Sequence, residues 1–283
     1  MSTVAIVIHR ERDAAFELAA DAANWLAERG HDVRLEISDA DRIGRPDLGG
    51  ESAALTNGTD LIVGVGGDGT ILRAVELAAE GRIPVLGVNA GQLGYLASVE
   101  PGGFRMALKR FLAGSYQVEE RMRLSVEIDR ADGTVAACAL NEVVLERAEL
   151  GHTIRLDVEF DGRPFTPYVA DGLILATPTG STAYVLSVRG PIVSPTHRAI
   201  VLAPVAPHML FDRSMVLDPS MTVTVRVDGH RTARLSVDGR DGGSLSAGES
   251  IRCTAAEVPA LLVRFGPANF EDVLRAKFHL PDR

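Results

Sequence analysis

The strongest constraint on the fold is a change of hydrophobic period partway along the chain. Over roughly the first hundred residues, short apolar runs alternate with stretches whose apolar positions recur at helical spacing, the pattern of βαβ units and a parallel sheet. Residues 4–8 read as a buried first strand. Residues 11–29 place Ala15, Leu18, Ala19, Ala22, Trp25 and Leu26 on one helical face, with Gly30 at the C-terminal stop. Further strands are expected at 33–37, 61–65 and 84–88, and further helices at 71–79, ended by Gly81, and at 101–112. The stretch 38–58 reads as loop with room for one short helix. From Arg123 onward the apolar segments are short, alternating and β-branched, and Asp132-Gly133, Asp161-Gly162, Asp228-Gly229 and Asp238-Gly239 read as hairpin turns. The expected organisation is an N-terminal parallel-sheet α/β domain at 1–115 and a C-terminal β-sandwich-like, all-β domain at 116–265. Residues 270–278 recover a helical period after Gly266-Pro267, so 266–283 are expected to return to the first domain.

Composition narrows the function. With 283 residues, 46% of them hydrophobic, the chain can bury a core without a metal or disulfide staple. Its formal charge of -9 argues against a nucleic-acid partner, so an anionic ligand must be held locally. No stretch reaches the ~18 apolar residues of a membrane span, and residues 4–8 are too short for a signal sequence. Cys138 and Cys253 lack a CxxC partner and read as buried, reduced thiols, which suits a cytoplasmic protein. The seven histidines show no metal-ligand spacing, and no GxSxG elbow is present, so no metal-binding residue is assigned.

Where the third strand ends, the chain reads Gly66-Gly67-Asp68-Gly69-Thr70 and runs into a helix. Ligands favour that edge of a parallel sheet. Glycines let main-chain N–H groups approach phosphate oxygens while the helix N-terminus adds a favourable potential, which makes Gly66, Gly67, Gly69 and Thr70 candidate phosphate-binding residues. Asp68 is the odd member, because a carboxylate repels phosphate unless it binds a metal or accepts a proton. A plain Gly-Asp-Gly turn capped by Thr70 competes with this reading. The P-loop lysine and the GxGxxG spacing are both missing, which speaks against an ordinary Rossmann dehydrogenase. Phosphate charge would then fall to backbone donors, a divalent ion and Arg73, unless Arg73 is simply a solvated helix residue.

Three further segments stand out. A second glycine loop, Asn89 to Tyr95, follows the fourth strand at the same sheet edge, although a simple connection would also explain it. Asn141-Glu142 interrupt the apolar strand 139–145 and must meet partners there. They suit ribose hydroxyls and base edges, or else neighbouring backbone. The run from Asp171-Gly172 to Thr177-Pro178-Thr179-Gly180-Ser181-Thr182-Ala183-Tyr184 offers small hydroxylated residues as the floor for a flat polar heterocycle, with Tyr184 to cover it.

In order, these segments, with Pro207-His208 and Asp238-Gly239, resemble the NAD kinase family over most of the chain. The Gly-Gly-Asp-Gly-Thr element is shared with diacylglycerol, sphingosine and 6-phosphofructokinases, whereas the Thr-Pro-Thr-Gly-Ser-Thr-Ala-Tyr run is close to diagnostic. The resemblance implies an NAD kinase/diacylglycerol kinase-like fold, with an α/β domain, an all-β nucleotide-binding domain and a final segment crossing back. It implies transfer of the terminal phosphoryl group of ATP or inorganic polyphosphate to the adenosine-ribose 2'-hydroxyl of NAD, giving NADP. Mg2+ or another divalent metal would accompany the donor. Family members are homodimers or homotetramers, and no membrane or nucleic-acid partner is implied.

By the same resemblance Asp68 matches the catalytic base, and Asp68, Gly69 and Arg73 contact NAD. Asn141, Glu142, His152 and Asp171 match nucleotide-binding positions, and Thr182, Ala183, Tyr184, Val185, Leu186 and Ser187 line the adenosine pocket. Two positions depart from the pattern: Arg189-Gly190-Pro191 stands where the family usually has Gly-Gly-Pro, and Val169 stands where some members carry a basic residue. A lipid kinase on the same glycine motif would need an apolar slot instead of Asn141-Glu142, and a non-catalytic NAD or NADP sensor would bind without turnover.

Overall fold

The computed structural model describes residues 1–91, 94–266 and 270–280. Gln92 and Leu93 of the second glycine loop, and Pro267 of the expected break before the tail helix, lie outside the described residues. The chain divides into two compact units, one of Met1–Glu120 with the chain from Ala260 onward and one of Arg121–Pro259.

The first unit is α/β. Its strands are β1 (Thr3–Ile8), β2 (Asp32–Glu36), β3 (Gly49–Gly50), β4 (Leu61–Gly66), β5 (Val85–Asn89) and β6 (Gln117–Arg121), with the last strand of the chain, β19 (Ala260–Arg264). They form one sheet in the order β3-β2-β1-β4-β5-β19-β6. The pairings β1 with β2, β1 with β4, β4 with β5 and β5 with β19 are parallel. The helices are α1 (Asp13–Ala27), α2 (Ile37–Arg42), α3 (Ser52–Thr56), α4 (Asp68–Ala78), α5 (Phe104–Leu112) and, near the end of the chain, α7 (Phe270–Phe278). Strands β4 and β5 are buried along their whole length, which is why they read as continuous apolar runs. Ala15, Ala19, Ala22 and Leu26 of α1 and Phe104, Leu108 and Phe111 of α5 pack with alternate residues of β1, β4 and β5 in one core.

From β1 the sheet grows through β2 and β3 in one direction, and from β4 through β5 in the other. The order therefore reverses between β1 and β4, and ligands bind outside the carboxyl ends of the strands at such a point. The stretch expected to be mostly loop holds two short helices, α2 and α3, and the two-residue strand β3.

The second unit is antiparallel throughout. Its strands are β7 (Leu124–Arg130), β8 (Gly133–Ala139), β9 (Glu142–Arg147), β10 (Ile154–Phe160), β11 (Arg163–Ala170), β12 (Gly172–Ala176), β13 (Ile200–Val205), β14 (Met215–Leu217), β15 (Val223–Asp228), β16 (Ala233–Val237), β17 (Arg240–Leu245) and β18 (Ser250–Ala255). One six-stranded sheet runs β11-β10-β15-β18-β7-β8 and the other β14-β13-β12-β9-β16-β17. Val126, Leu156, Val225 and Ile251 of the first sheet and Val143, Leu145, Leu173 and Leu235 of the second share a core, so the sheets pack as a sandwich. The second sheet is also covered outside: Val144, Ile174, Ala176, Val201 and Ala203 pack around Val185 of the one-turn helix α6 (Tyr184–Ser187).

Of the four expected hairpin turns, three join paired neighbours and one does not. Asp161-Gly162 and Asp238-Gly239 each place both residues at positive φ between paired strands, the geometry of a two-residue hairpin loop. The β7–β8 turn is shifted by one residue, because Arg130 pairs with Gly133 and the loop is Ala131-Asp132. Asp228-Gly229 is no hairpin: β15 lies in the first sheet and β16 in the second, so the turn carries the chain from one sheet to the other. An Asp-Gly pair specifies local backbone, not the partner strand. Cys253 is buried, as expected, whereas Cys138 sits half-buried on the edge strand β8. Among the described residues no helix is long and apolar enough to cross a membrane.

Candidate active site

The glycine motif makes the turn out of β4 at once: the strand ends at Gly66, Gly67 is extended, and α4 starts at Asp68. The N–H groups of Gly67, Asp68 and Gly69 lie ahead of the first carbonyl that the helix itself can offer. Gly69 is exposed and has nothing within 4 Å of where a Cβ would stand, so an anion has room to approach it. Thr70 plays a different part from Gly67 and Gly69. It is buried, its N–H donates to the Gly67 carbonyl at 2.9 Å, and its side chain packs against Gly66. Thr70 thus holds the turn closed and leaves the open face to the glycines.

The Asp68 side chain is half-buried and held from outside its own helix. It accepts hydrogen bonds from the N–H groups of Tyr95 at 2.9 Å and Leu96 at 3.1 Å, one on each carboxylate oxygen. Each oxygen keeps acceptor capacity for a further partner. A Cβ on Gly94 would collide with Oδ1 of Asp68, so the second glycine loop passes where only a glycine fits. Asn89 pins that loop: its Oδ1 accepts the Gly91 N–H at 3.0 Å and its amide donates to Glu100 at 3.2 Å. The Tyr95 hydroxyl is pushed up from its usual range by burial and then by the Asp68 charge. Arg73 is held on the other side of the motif, donating to the Ile8 carbonyl at 3.3 Å with Glu36 at 3.6 Å.

In the second unit Asn141-Glu142 sit at the start of β9, shaped by a residue from the far end of the sequence segment. The Asp238 carboxylate accepts the N–H groups of Leu140 at 2.7 Å, Asn141 at 2.8 Å and Glu142 at 3.1 Å. The hydroxyl-rich run packs on the same turn. Thr177 donates its hydroxyl to the Leu140 carbonyl and its N–H, at 2.9 Å, to the Asn141 carbonyl, while a Cβ on Gly180 would strike the Asn141 backbone. Ser181 is fully buried, donating to the Pro178 carbonyl at 2.6 Å and accepting the Val193 N–H at 3.0 Å. The hydroxyls of Thr177 and Ser181 therefore hold the loop in shape instead of flooring a pocket.

Glu142 is only 8% exposed, and its Oε2 is buried without a partner among the described residues. Burial, and then the neighbouring Asp238 charge, push its carboxyl up to about 7. A buried acceptor of this kind costs stability until a donor reaches it. The Tyr184 hydroxyl donates to Glu146, and burial with that bond pushes it up to about 12. Asp171 forms an ion pair with Arg147 at 3.3 Å.

Of the remaining sequence candidates, Thr182, Ala183, Tyr184 and Leu186 are half-buried, Ser187 is exposed, and His152 is exposed in the turn between β9 and β10. Val185 is fully buried in the outer core of the second sheet, so its side chain serves packing. Arg189, which stands where the resembled pattern has glycine, adopts φ +60°, a conformation natural to glycine. The sequence marked Asp238 as a turn residue and as part of the family pattern, without a partner, and left Gly94 and Glu146 without individual roles. The one signal for Gly94 was its place in a second glycine loop at the edge carrying Asp68.

Comparison with known proteins decides the family. Residues 49–116 match the ATP-NAD kinase N-terminal domain and residues 140–265 the ATP-NAD kinase C-terminal domain. The chain is 37% identical over 279 residues to an NAD kinase of Moorella thermoacetica, covering 98% of this chain and 89% of that protein. It is 38% identical over 280 residues to an NAD kinase of Symbiobacterium thermophilum, covering 98% and 99%. The chain belongs to the NAD kinase family. As an NAD kinase it is an enzyme that phosphorylates NAD to NADP. Among solved structures it resembles yeast NADH kinase complexed with NADH, with a TM-score of 0.92 and 27% identity over 100% of this chain and 89% of that one. It also resembles an NAD kinase from Archaeoglobus fulgidus in complex with ATP, with a TM-score of 0.74 and 26% identity over 99% of each chain.

Proposed function

We propose that the chain transfers the terminal phosphoryl group of ATP or polyphosphate to the 2'-hydroxyl of the adenosine ribose of NAD, with Asp68 as general base. The observation that carries this reading is the Asp68 carboxylate, oriented by the Tyr95 and Leu96 N–H groups at the mouth of a glycine turn. A ribose hydroxyl is a weak acid and must lose its proton as the new P–O bond forms. Asp68 accepts that proton while ADP, or the shortened polyphosphate, departs. Gly67 and Gly69 supply N–H donors where charge spreads over the transferred phosphoryl group. The partnerless Oε2 of Glu142 is an acceptor for a hydroxyl of the dinucleotide, and Asn141 with Thr182 to Ser187 contributes to that recognition. Asp171 and Tyr184 act there through their pairs with Arg147 and Glu146.

Among the described residues, no group of three or more His, Cys, Asp and Glu could hold a metal ion. A divalent ion chelated by the donor's own phosphates needs no such cage. Such an ion, for example Mg2+, neutralises donor charge when bound. The family resemblance supports assembly as a homodimer or homotetramer, and two unpaired thiols are in keeping with the cytoplasm.

The test is incubation of purified protein with NAD, Mg2+ and either ATP or polyphosphate, with NADP read by a dehydrogenase-coupled assay. NADP is expected with at least one donor. Saturable NAD binding with no NADP from either donor would instead make the chain a sensor.

A further inference from the structure

A cation that the reaction scheme above leaves unused stands at the strand-order reversal. Arg12 follows β1 and caps the start of α1, so its chain position is the carboxyl edge of the sheet beside the end of β4. Its Nη1 donates to the Ala90 carbonyl at 3.3 Å and lies 4.0 Å from where a Cβ on Gly67 would stand. A Cβ on Gly91 would land on the same nitrogen. The guanidinium therefore bridges the two glycine loops, beside the open face of the first.

Its charge is also unanswered among the described residues. Arg34, Arg42, Arg45, Arg73 and Arg105 of the same unit each sit against a carboxylate, in a chain of net charge -9. Among the described residues no carboxylate pairs with Arg12. A guanidinium carries five N–H donors, and a single carbonyl uses one of them. A half-buried arginine with donors to spare, beside glycine N–H groups, has the chemistry of a phosphate clamp.

We propose that Arg12 grips the phosphate chain of the donor, the part that ATP and polyphosphate share, and takes the charge-neutralising place that a lysine fills in other phosphate loops. The proposal rests on the kinase reading, and the test separates the two. Initial rates are measured for the wild type, R12Q, R12K and G91A with NAD and with each donor that the wild type accepts, and folding is checked by thermal unfolding.

Loss of a charge-assisted contact should raise the donor KM of R12Q at least ~10-fold while the KM for NAD stays within about twofold. R12K should recover part of the loss. G91A, whose Cβ displaces the guanidinium without altering its charge, should raise the donor KM in the same direction. An active wild type with an unchanged donor KM in folded R12Q would overturn the proposal for Arg12 alone, as would an increase confined to the KM for NAD. A wild type that makes no NADP would overturn the kinase reading beneath it.

Discussion

The Asp68 carboxylate fills the space that a side chain on Gly94 would need, and the two N–H groups that follow Gly94 hold it there. Two substitutions separate its chemistry from its placement. Asp68→Asn keeps the shape and removes the proposed base, so turnover should fall at least ~10²-fold while the fold persists. Gly94→Ala keeps the carboxylate and moves it, and a displacement near 1 Å is worth about 10²-fold in rate. Steady-state kinetics with circular dichroism checks both. Near-normal turnover of pure Asp68→Asn protein would remove Asp68 from the role of base.

Asp238 should matter more to NAD recognition than its place in a hairpin turn suggests. Asp238→Ala leaves three N–H groups, those of Leu140, Asn141 and Glu142, without their carboxylate. The expected cost is roughly 2–3 kcal/mol of stability. The KM for NAD should rise more than the KM for the donor, because the turn that is loosened carries Asn141 and Glu142. Equal changes in both constants would argue against this division of labour.

Glu142 predicts a pH dependence of stability. Its carboxyl rises from an ordinary 4.5 to about 7 on folding, through burial first and Asp238 second. The folded protein therefore holds a proton that the unfolded chain has released between those values. Its contribution is fully present below about pH 4.5 and is lost as the pH rises through 7. Glu142→Gln abolishes this loss. The stability of the variant relative to wild type should increase by about 3 kcal/mol between pH 4 and pH 8.5, measured by urea unfolding without nucleotide. A constant difference across that range would contradict the shift.

Arg189→Gly should stabilise the second unit. Arg189 is exposed and held at φ +60°, where a side chain costs roughly 1–2 kcal/mol that glycine avoids, offset in part by glycine's greater freedom when unfolded. The net gain should be about 1 kcal/mol, or ~2–4 °C in the unfolding midpoint of that unit by calorimetry. No gain, or a loss, would mean that the arginine side chain makes a compensating contact.

The pattern of apolar residues was enough to place the parallel sheet and Gly66-Gly67-Asp68-Gly69-Thr70 at a strand end; it put the change to hairpins near residue 115 and the end of the second domain at 265, whereas β6 and β19 both pair in the first sheet. The features it placed are local: the period of side-chain burial is set by backbone geometry within a few residues, so it is written directly along the chain. Asn141 and Glu142 were legible as polar groups interrupting an apolar run, but the single strand expected at 139–145 is the end of β8, a bend at 140–141 and the start of β9 in the other sheet, because the chain changes sheets there. What decided their use was contact across long separations. Asp68 meets Leu96 at 28 residues' distance and Asp238 meets Asn141 at 97, and neither pairing follows from spacing. The same holds for Asp228-Gly229, where strand order sends an ordinary turn between sheets. Local sequence selects which backbone shapes are cheap, while the assembled sheets choose which of those shapes come to face one another. The position of the Asp68 carboxylate belongs to the second choice.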